Sequence, residues 1–353
     1  MPKMHYIIPV FVPHAGCPHQ CVFCNQKHIS GRRAVPTGEE VEGQIKEYLQ
    51  TIGDPAGKTV EVAFFGGSFT AIPEELQQEL LAPARAFWEA GRVDYLRLST
   101  RPDCIDRQNL AWLSDWGVRV IELGVQSMDA GVLAAAKRGH TAEEVRDAAA
   151  LVKSMGFQLG LQMMVGLPGD SPDKARETAR ELVSLKPDFV RIYPVLVIRG
   201  TELAEMYLAG QYRPWDLLTT VEVCKDLLKL FAQADIPVIR IGLQASEQVN
   251  FEGDVLAGPF HPALRELVES AWARERIEGL LRQAGLEPVD NAGEQVLPVE
   301  QVVLQVSPRD ISIVRGQRNS NICYFRRVWG INLKVEGNPD LPRRSMICSV
   351  KAS

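Results

Sequence analysis

Three cysteines fall within eight residues, in the run Gly16-Cys17-Pro18-His19-Gln20-Cys21-Val22-Phe23-Cys24-Asn25. Three closely spaced thiolates on one loop can hold three irons of a [4Fe–4S] cluster, where thiolate is the usual ligand. The missing fourth thiolate leaves one iron open to a small molecule. A structural zinc site needs four protein ligands, so His19 or His28 would have to supply the fourth. Spacing alone leaves that alternative open. The chain has seven cysteines, and Cys104, Cys224, Cys323 and Cys348 are scattered. An odd, uneven set points to a metal or redox site rather than a disulfide framework. The scattered four read as buried structural thiols.

The elements that must position this loop follow from periodicity. Near-continuous apolar runs at Tyr6–Val12, Val60–Phe65, Tyr95–Ser99, Val118–Leu123, Gln158–Met164 and Phe189–Tyr193 predict parallel strands buried on both faces. Helices fill the gaps. Thr37-Gly-Glu-Glu40 and Thr141-Ala-Glu-Glu144 are capping boxes, and Pro73 and Pro172 sit where first-turn prolines belong. Gly156 is a plausible helix stop after Ser154. Strand and helix in alternation predict a parallel α/β fold, wound as a barrel or as an open sheet. In either, ligands sit at the carboxyl ends of the strands. The cysteine loop, Gly66-Gly67, Thr100-Arg101 and Gly166-Leu167-Pro168-Gly169 all follow predicted strands, so four unusual loops converge on one face. Taken singly, Gly66-Gly67 and Gly166–Gly169 read equally as turns, and Arg138 as a helix-end cap. Met163 and Met164 read as barrel packing.

Composition bounds the rest. At 353 residues, with 46% hydrophobic and 24% charged, the chain is of globular type. Its apolar runs are far short of the ~18 residues that span a bilayer. The apolar start is broken by prolines and lacks a cleavage site, so it reads as a strand and the expected location is cytoplasmic, with no membrane partner. Net charge is −5, which excludes a uniformly basic nucleic-acid binder. Both ends are nevertheless basic. Residues 1–35 hold Lys3, Lys27, Arg32 and Arg33 and no acid, and residues 303–353 hold nine Lys/Arg against Asp310, Glu336 and Asp340. Two basic ends around an acidic middle hint at a polyanion.

The Cys-x3-Cys-x2-Cys spacing, with Phe23 before the third cysteine, resembles the signature of the radical S-adenosylmethionine enzymes. Phe65-Gly66-Gly67-Ser68-Phe69-Thr70 looks like the family's GGE-type segment. Leu98–Asp103, Glu122–Ser127, Lys137–His140 and Gln162–Gly169 follow in an order similar to two branches, the oxygen-independent coproporphyrinogen III oxidases and the Elongator catalytic subunits. Arg191–Thr201 resembles the Elongator branch. The resemblance implies a partial (β/α)6 barrel, a [4Fe–4S] cluster and S-adenosylmethionine as cofactors. It also implies reductive cleavage to a 5′-deoxyadenosyl radical that abstracts hydrogen from a substrate. An electron donor such as flavodoxin or ferredoxin follows.

By the same resemblance, Cys17, Cys21 and Cys24 would ligate the cluster and Phe23 would lie near the adenine. Gly66 and Gly67 would let backbone approach the methionyl amine, with Ser68 where the motif has an acid or threonine. Gln126 and Arg138 match positions that hold the ribose and the methionyl carboxylate. Arg138 suits a carboxylate because its guanidinium can bind bidentately. Ser99 and Gln162 stand where the coproporphyrinogen branch has carboxylates, so Arg101 or Asp103 would supplement contacts there.

The expected domains are a barrel over residues 1–195, a helical extension over 196–290 and a small basic α+β tail over 291–353. The extension has predicted helices near 214–234 and 263–284, with a short strand near Val238–Ile241. The tail reads as strand Gln301–Val306, helix Arg309–Val314, turn Gly316-Gln317-Arg318-Asn319, helix Ile322–Trp329 and strand Ile331–Glu336. That order is similar to a minimal KH unit, whose GxxG loop clamps a nucleic-acid backbone. Asn319 replaces the last glycine but still tolerates a left-handed conformation. Arg315 and Arg318, with Arg326 and Arg327 nearby, are the candidate phosphate contacts. The expectation is that this tail, helped by Arg32 and Arg33, docks tRNA over the barrel mouth. Elongator catalytic subunits carry an acetyltransferase domain after the radical domain. These 353 residues resemble instead a stand-alone group with the barrel and a helical extension. Rival expectations are a small metabolite or tetrapyrrole as substrate, or a non-catalytic cluster protein that binds RNA or haem. Oligomeric state is left open.

Overall fold

The computed structural model describes residues 5–13, 15–25, 34–53, 57–289 and 300–351. Lys3, Lys27, His28, Arg32 and Arg33 lie outside the described residues. Strand and helix alternate as β1 (His5–Phe11), α1 (Gly38–Ile52), β2 (Thr59–Phe65), α2 (Glu74–Glu89), β3 (Tyr95–Thr100) and α3 (Arg107–Asp115). Then come β4 (Val118–Gln126), α4 (Ala130–Ala135), α5 (Ala142–Ser154), β5 (Gln158–Val165), α6 (Pro172–Ser184) and β6 (Phe189–Pro194). Next are β7 (Val197–Ile198), α7 (Glu202–Leu208), α8 (Leu217–Gln233), β8 (Val238–Ile241), β9 (Val255–Ala257) and α9 (Leu264–Gln283). The chain closes with β10 (Glu300–Val306), α10 (Ile311–Arg315), α11 (Ser320–Trp329), β11 (Ile331–Gly337) and β12 (Met346–Lys351).

The main sheet is an all-parallel half-barrel in the order β1-β2-β3-β4-β5-β6-β8. The expected six strands therefore gain a seventh. β8 was legible as a short strand, but its neighbour in the sheet was not, because α7 and α8 intervene. The capping boxes form as the sequence predicts. Thr37 and Glu40, and Thr141 and Glu144, bond reciprocally at the starts of α1 and α5. Gly156 takes a positive φ just after α5. Each barrel helix buries one stripe: α1 turns Val41, Ile45, Leu49 and Ile52 inward, at helical spacing.

The chain divides into two compact units, Met1–Thr220 with Leu230–His261, and Val221–Lys229 with Pro262–Ser353. In the second, β10 is central, parallel to β11 and antiparallel to β12. Its core joins Ala273, Ile277 and Leu281 of α9 to Val302, Leu304, Phe325, Trp329 and Leu333. Two details differ from the sequence reading. The helix expected at Arg309–Val314 is split into a 3₁₀ turn, Pro308–Asp310, and α10. β12 was not foreseen: Met346 and Cys348 pack on the core, but Ile347 and Val350 are exposed, so the strand lacks clean alternation. Among the described residues no helix is long and apolar enough to cross a membrane.

Candidate functional site

The site lies at the carboxyl ends of the barrel strands. The loop after β1 brings Cys17, Cys21 and Cys24 together in sequence, and all three are free thiols, Cys21 buried and the others half-buried. Backbone bonds staple this loop to its surroundings. Val22 N–H donates to the Ala136 carbonyl at 3.2 Å, and Leu203 N–H donates to the Val22 carbonyl at 2.8 Å. The Asn25 amide donates to the carbonyls of Arg199 and Gly200. Phe23 is half-buried against the apolar cluster of Val22, Val132, Leu167 and Val195, which Met164 also joins. Met163 is fully buried, as barrel packing requires.

The loop after β2 touches the cysteine loop backbone to backbone. Ser68 N–H donates to the Ala15 carbonyl at 2.9 Å. Gly16 and Gly67 both have positive φ, and a Cβ on either would overlap backbone of the opposite loop. This close approach is open only to glycine. Ser68 is fully buried, and its hydroxyl is turned away to Thr100 Oγ1 at 3.0 Å and accepts from Arg101 N–H at 3.3 Å. Its side chain thus ties the β2 loop to the β3 loop.

Two buried arginines meet beside Cys21. Arg101, 1% exposed, is bound bidentately by Asp103, Nε to Oδ1 and Nη2 to Oδ2, both at 2.9 Å. Asp103 is thereby spent on Arg101 rather than offered to a ligand. Arg101 Nη2 also donates to the Arg138 carbonyl at 2.6 Å. Arg138 donates from Nη2 to the Gly124 carbonyl at 2.5 Å and from Nη1 to Cys21 Sγ at 3.5 Å. Each Nη makes one of these bonds, so Arg138 keeps further N–H donors of its fork for an anion. Arg101 Nη1 and Arg138 Nε are buried without a hydrogen-bond partner among the described residues. Arg138 also has no carboxylate partner among them.

β4 ends in a strained corner. Its register with β5 shifts between Gly124 and Gln126, and Gln126 has φ 67°, a costly conformation for a residue with a Cβ. The strain aims the Gln126 side chain at Gln162, whose Nε2 donates to Gln126 Oε1 at 3.1 Å. Ser99 is half-buried on β3, opposite Glu122 of β4. The structure thus brings Cys21, Gln126, Gln162, Arg101 and Arg138 onto one face. Arg315 and Arg318 belong to the other unit.

Burial pushes the Cys17 thiol up, against the opposing pull of Arg138 and Arg101. His140, 4% exposed, is lowered to about 4 by burial first and then by Arg138 and Arg101. Its Nε2 is buried and unpartnered. His19 packs its ring on Gly139, where a Cβ would overlap it, so His19 faces the Arg138 segment instead of completing a tetrahedral set. Among the described residues no three His, Cys, Asp or Glu side chains gather tightly enough for one metal ion. Thiolates that each bind a different iron need no such convergence. Three free thiols with a buried, uncompensated guanidinium beside one of them fit an anionic iron–sulfur cluster.

Sequence reasoning missed three features. Below the mouth, Arg97 bonds Glu61 at 3.0 Å and Glu122 at 2.8 Å, and Arg191 bonds Glu122 at 3.0 Å, all from barrel strands. The signal was present: single charges within apolar strands meant to be buried on both faces. Burial raises the Glu61 carboxyl against the pull of Arg97 and His5. The second feature is the pair that holds the expected Gly166–Gly169 loop: Asp170 accepts from Gly166 N–H at 2.8 Å and Tyr212 donates to the Gly166 carbonyl at 2.5 Å. Burial lifts Asp170 to about 6. Third, Cys104 is not remote: its carbonyl accepts from Thr70 Oγ1 at 2.5 Å, within the β2–β3 corner.

The chain matches the radical SAM superfamily over residues 11–182 and the radical SAM C-terminal domain over residues 187–274. An uncharacterized protein of Methanocaldococcus jannaschii is 31% identical over 229 residues, 61% of this chain and 68% of that protein. The tRNA uridine(34) acetyltransferase of Methanocaldococcus infernus is 30% identical over 256 residues, 62% of this chain and 48% of that enzyme. Human Elongator complex protein 3 is 27% identical over 303 residues, 78% of this chain and 51% of that protein. The chain thus spans about half the length of the acetyltransferase and Elongator relatives. In fold it is similar to the archaeal Methanocaldococcus infernus Elp3, with a TM-score of 0.60 at 22% identity over 82% of this chain and 71% of that one. A cysteine loop at the mouth of a parallel half-barrel, followed by both matching domains, makes this chain a radical S-adenosylmethionine enzyme, a member of the superfamily that uses a [4Fe–4S] cluster and S-adenosylmethionine and a homologue of the Elongator Elp3 proteins.

Proposed function

We propose that this enzyme acts on a base of tRNA, with Cys17, Cys21 and Cys24 holding the cluster. When bound, the cluster and S-adenosylmethionine supply one-electron cleavage of the sulfonium and hydrogen abstraction from the substrate. The chain's own residues then bind, orient and shield. Gly66 and Gly67 admit backbone close to the cofactor's amine, and Phe23 shields one side of the loop. Gln126 and Gln162 present amide groups to the ribose, supported by Ser99. Arg138 Nε–H and Arg101 Nη1–H are the free buried donors for an anion. Ser68 holds the two loops that carry these groups.

The observation that carries the RNA reading is the tail. Arg315 and Arg318 are exposed at the α10–α11 loop, Arg326 and Arg327 are exposed in the last turn of α11, and none has an ion pair among the described residues. Arg318 and Asn319 both take left-handed backbone, so the loop turns sharply enough to present backbone to a phosphate. The named activity of the tRNA uridine(34) acetyltransferase relatives supports the same substrate class.

The test is anaerobic. The protein is reconstituted with iron and sulfide, reduced, and given S-adenosylmethionine with and without bulk tRNA. The expected result is 5′-deoxyadenosine formation stimulated by tRNA and abolished in Cys21→Ala. Cleavage indifferent to tRNA would sink the RNA reading and leave a metabolite as substrate.

A further inference from the structure

We propose that Arg138 sets the reduction potential of the cluster through the Cys21 thiolate, acting as a positioning residue rather than a ligand. This rests on the proposed ligation by Cys21. Arg138 Nη1 lies 3.5 Å from Cys21 Sγ, and both residues are 6% exposed. Arg138 is fixed at its side chain and at its backbone. Its Nη2 is held by the Gly124 carbonyl, and its own backbone carbonyl is held by Arg101.

Charge separates the two arginines. Asp103 neutralises Arg101 through two bonds, whereas Arg138 meets no carboxylate among the described residues. The net local cation therefore sits on Arg138, and it points at sulfur. The space it occupies exists because position 124 has no side chain. A Cβ there would lie 2.8 Å from Arg138 Nη2 and 2.9 Å from Gln126 Nε2.

The physical consequence has a definite sign. Reduction adds one electron to the cluster and no proton, the electron coming from an external one-electron donor protein. A hydrogen bond to the thiolate draws density from the iron–sulfur core, and a buried cation favours the more negative state. Arg138 therefore raises the potential and makes the cluster easier to reduce before S-adenosylmethionine binds. A residue that only gripped the cofactor's carboxylate would leave the cofactor-free potential alone.

The test is a spectroelectrochemical titration of the reconstituted full chain without S-adenosylmethionine, followed by electron paramagnetic resonance of the reduced cluster. Arg138→Gln is expected to shift the midpoint to more negative values, and Arg138→Lys to fall between it and wild type. Gly124→Ala, which keeps every polar group but displaces the guanidinium, is expected to shift it in the same direction. Lys137→Gln, on the exposed neighbour, is expected to leave it in place. Should Arg138→Gln fail to retain a cluster, Gly124→Ala decides alone. Wild-type midpoints in every variant that retains its iron and sulfide overturn the proposal. A full cluster in Cys21→Ala would refute the ligand reading instead, so the two failures are distinguishable.

Discussion

Two buried groups of charges lie in the barrel, and they are built on opposite rules. Within the sheet, Glu61, Arg97, Glu122 and Arg191 form a chain of ion pairs in which two cations meet two anions. Arg97 and Arg191 also lie over the rings of Phe189 and Phe65. At the mouth, Arg101 and Arg138, beside a neutral His140, have only Asp103 as an ion-pair partner among the described residues. A compensated network closes on itself, whereas an uncompensated one requires a further anion to be complete. Burying charge without a partner is costly, and the proposed cluster ligation would give the excess cation at the mouth its anion.

Breaking the balanced group gives the largest expected effect on the fold. Arg97→Met leaves Glu61 buried without its arginine and Glu122 with Arg191 alone, and is expected to destabilise the protein by about 3–5 kcal/mol. Thermal unfolding of the metal-free chain measures this, and adding Glu61→Gln to Arg97→Met, which leaves Glu122 paired with Arg191, is expected to recover much of the loss. A single substitution with wild-type stability would show that the network is not what holds these strands.

The unbalanced group is exposed by acid. The unfolded His140 imidazole protonates near 6.5, whereas the folded one, excluded by burial and by Arg138 and Arg101, protonates only near about 4. Between those values acid favours the unfolded chain, because only it takes up the proton. Stability present above pH ~6.5 is therefore lost progressively down to pH ~4, by up to about 3 kcal/mol. His140→Gln is expected to flatten that part of a stability–pH curve. An unchanged slope would assign the acid sensitivity to other groups.

How far the sequence disclosed all this depends on the kind of information each feature uses. The six parallel strands, the capping boxes at Thr37 and Thr141, and the cysteine loop are local patterns, so spacing alone revealed them. Gly67 and Gly16 were visible as glycines, but their mutual approach is set by two loops more than 40 residues apart in sequence. The membership of β8 in the barrel depends on where the chain returns after α8, which periodicity does not encode. β12 escaped because an edge strand with apolar residues on both faces lacks the two-residue alternation. The bidentate pairing of Asp103 with Arg101 is a side-chain choice between neighbours that no motif distinguishes. The ion network was partly legible: Glu61, Arg97, Glu122 and Arg191 are single charges in otherwise apolar strands. Their arithmetic, two against two, emerges only when the strands are laid side by side.

The tail offers a smaller effect and an exposed counterpart to the mouth. Arg315 and Arg318 also lack an ion pair among the described residues, but water screens them, so they cost the fold little. Arg315→Glu with Arg318→Glu is expected to leave stability nearly unchanged. It should weaken tRNA binding and reduce the salt dependence of affinity by about two in slope, one per lost phosphate contact. Filter binding across a salt series reads both. An unchanged slope would remove the tail from the RNA interface.

A small expected effect on stability, at Arg138, best divides the two buried groups. Arg138→Gln in the cluster-free protein removes a cation that has no carboxylate partner among the described residues, and loses its hydrogen bonds to the Gly124 carbonyl and to Cys21. The relief of an uncompensated buried charge and the loss of those bonds act in opposite directions. The net change is expected to lie within about 1 kcal/mol, against the several expected for Arg97→Met. Loading with the cluster reverses the comparison. A ligand stabilises the fold in proportion to how tightly the folded state holds it, so wild type is expected to gain more in melting temperature on reconstitution than Arg138→Gln does. A loss above ~3 kcal/mol in the cluster-free variant would place Arg138 beside Arg97 as a structural cation. An equal gain on loading would show that the mouth's excess charge is not directed at the cluster.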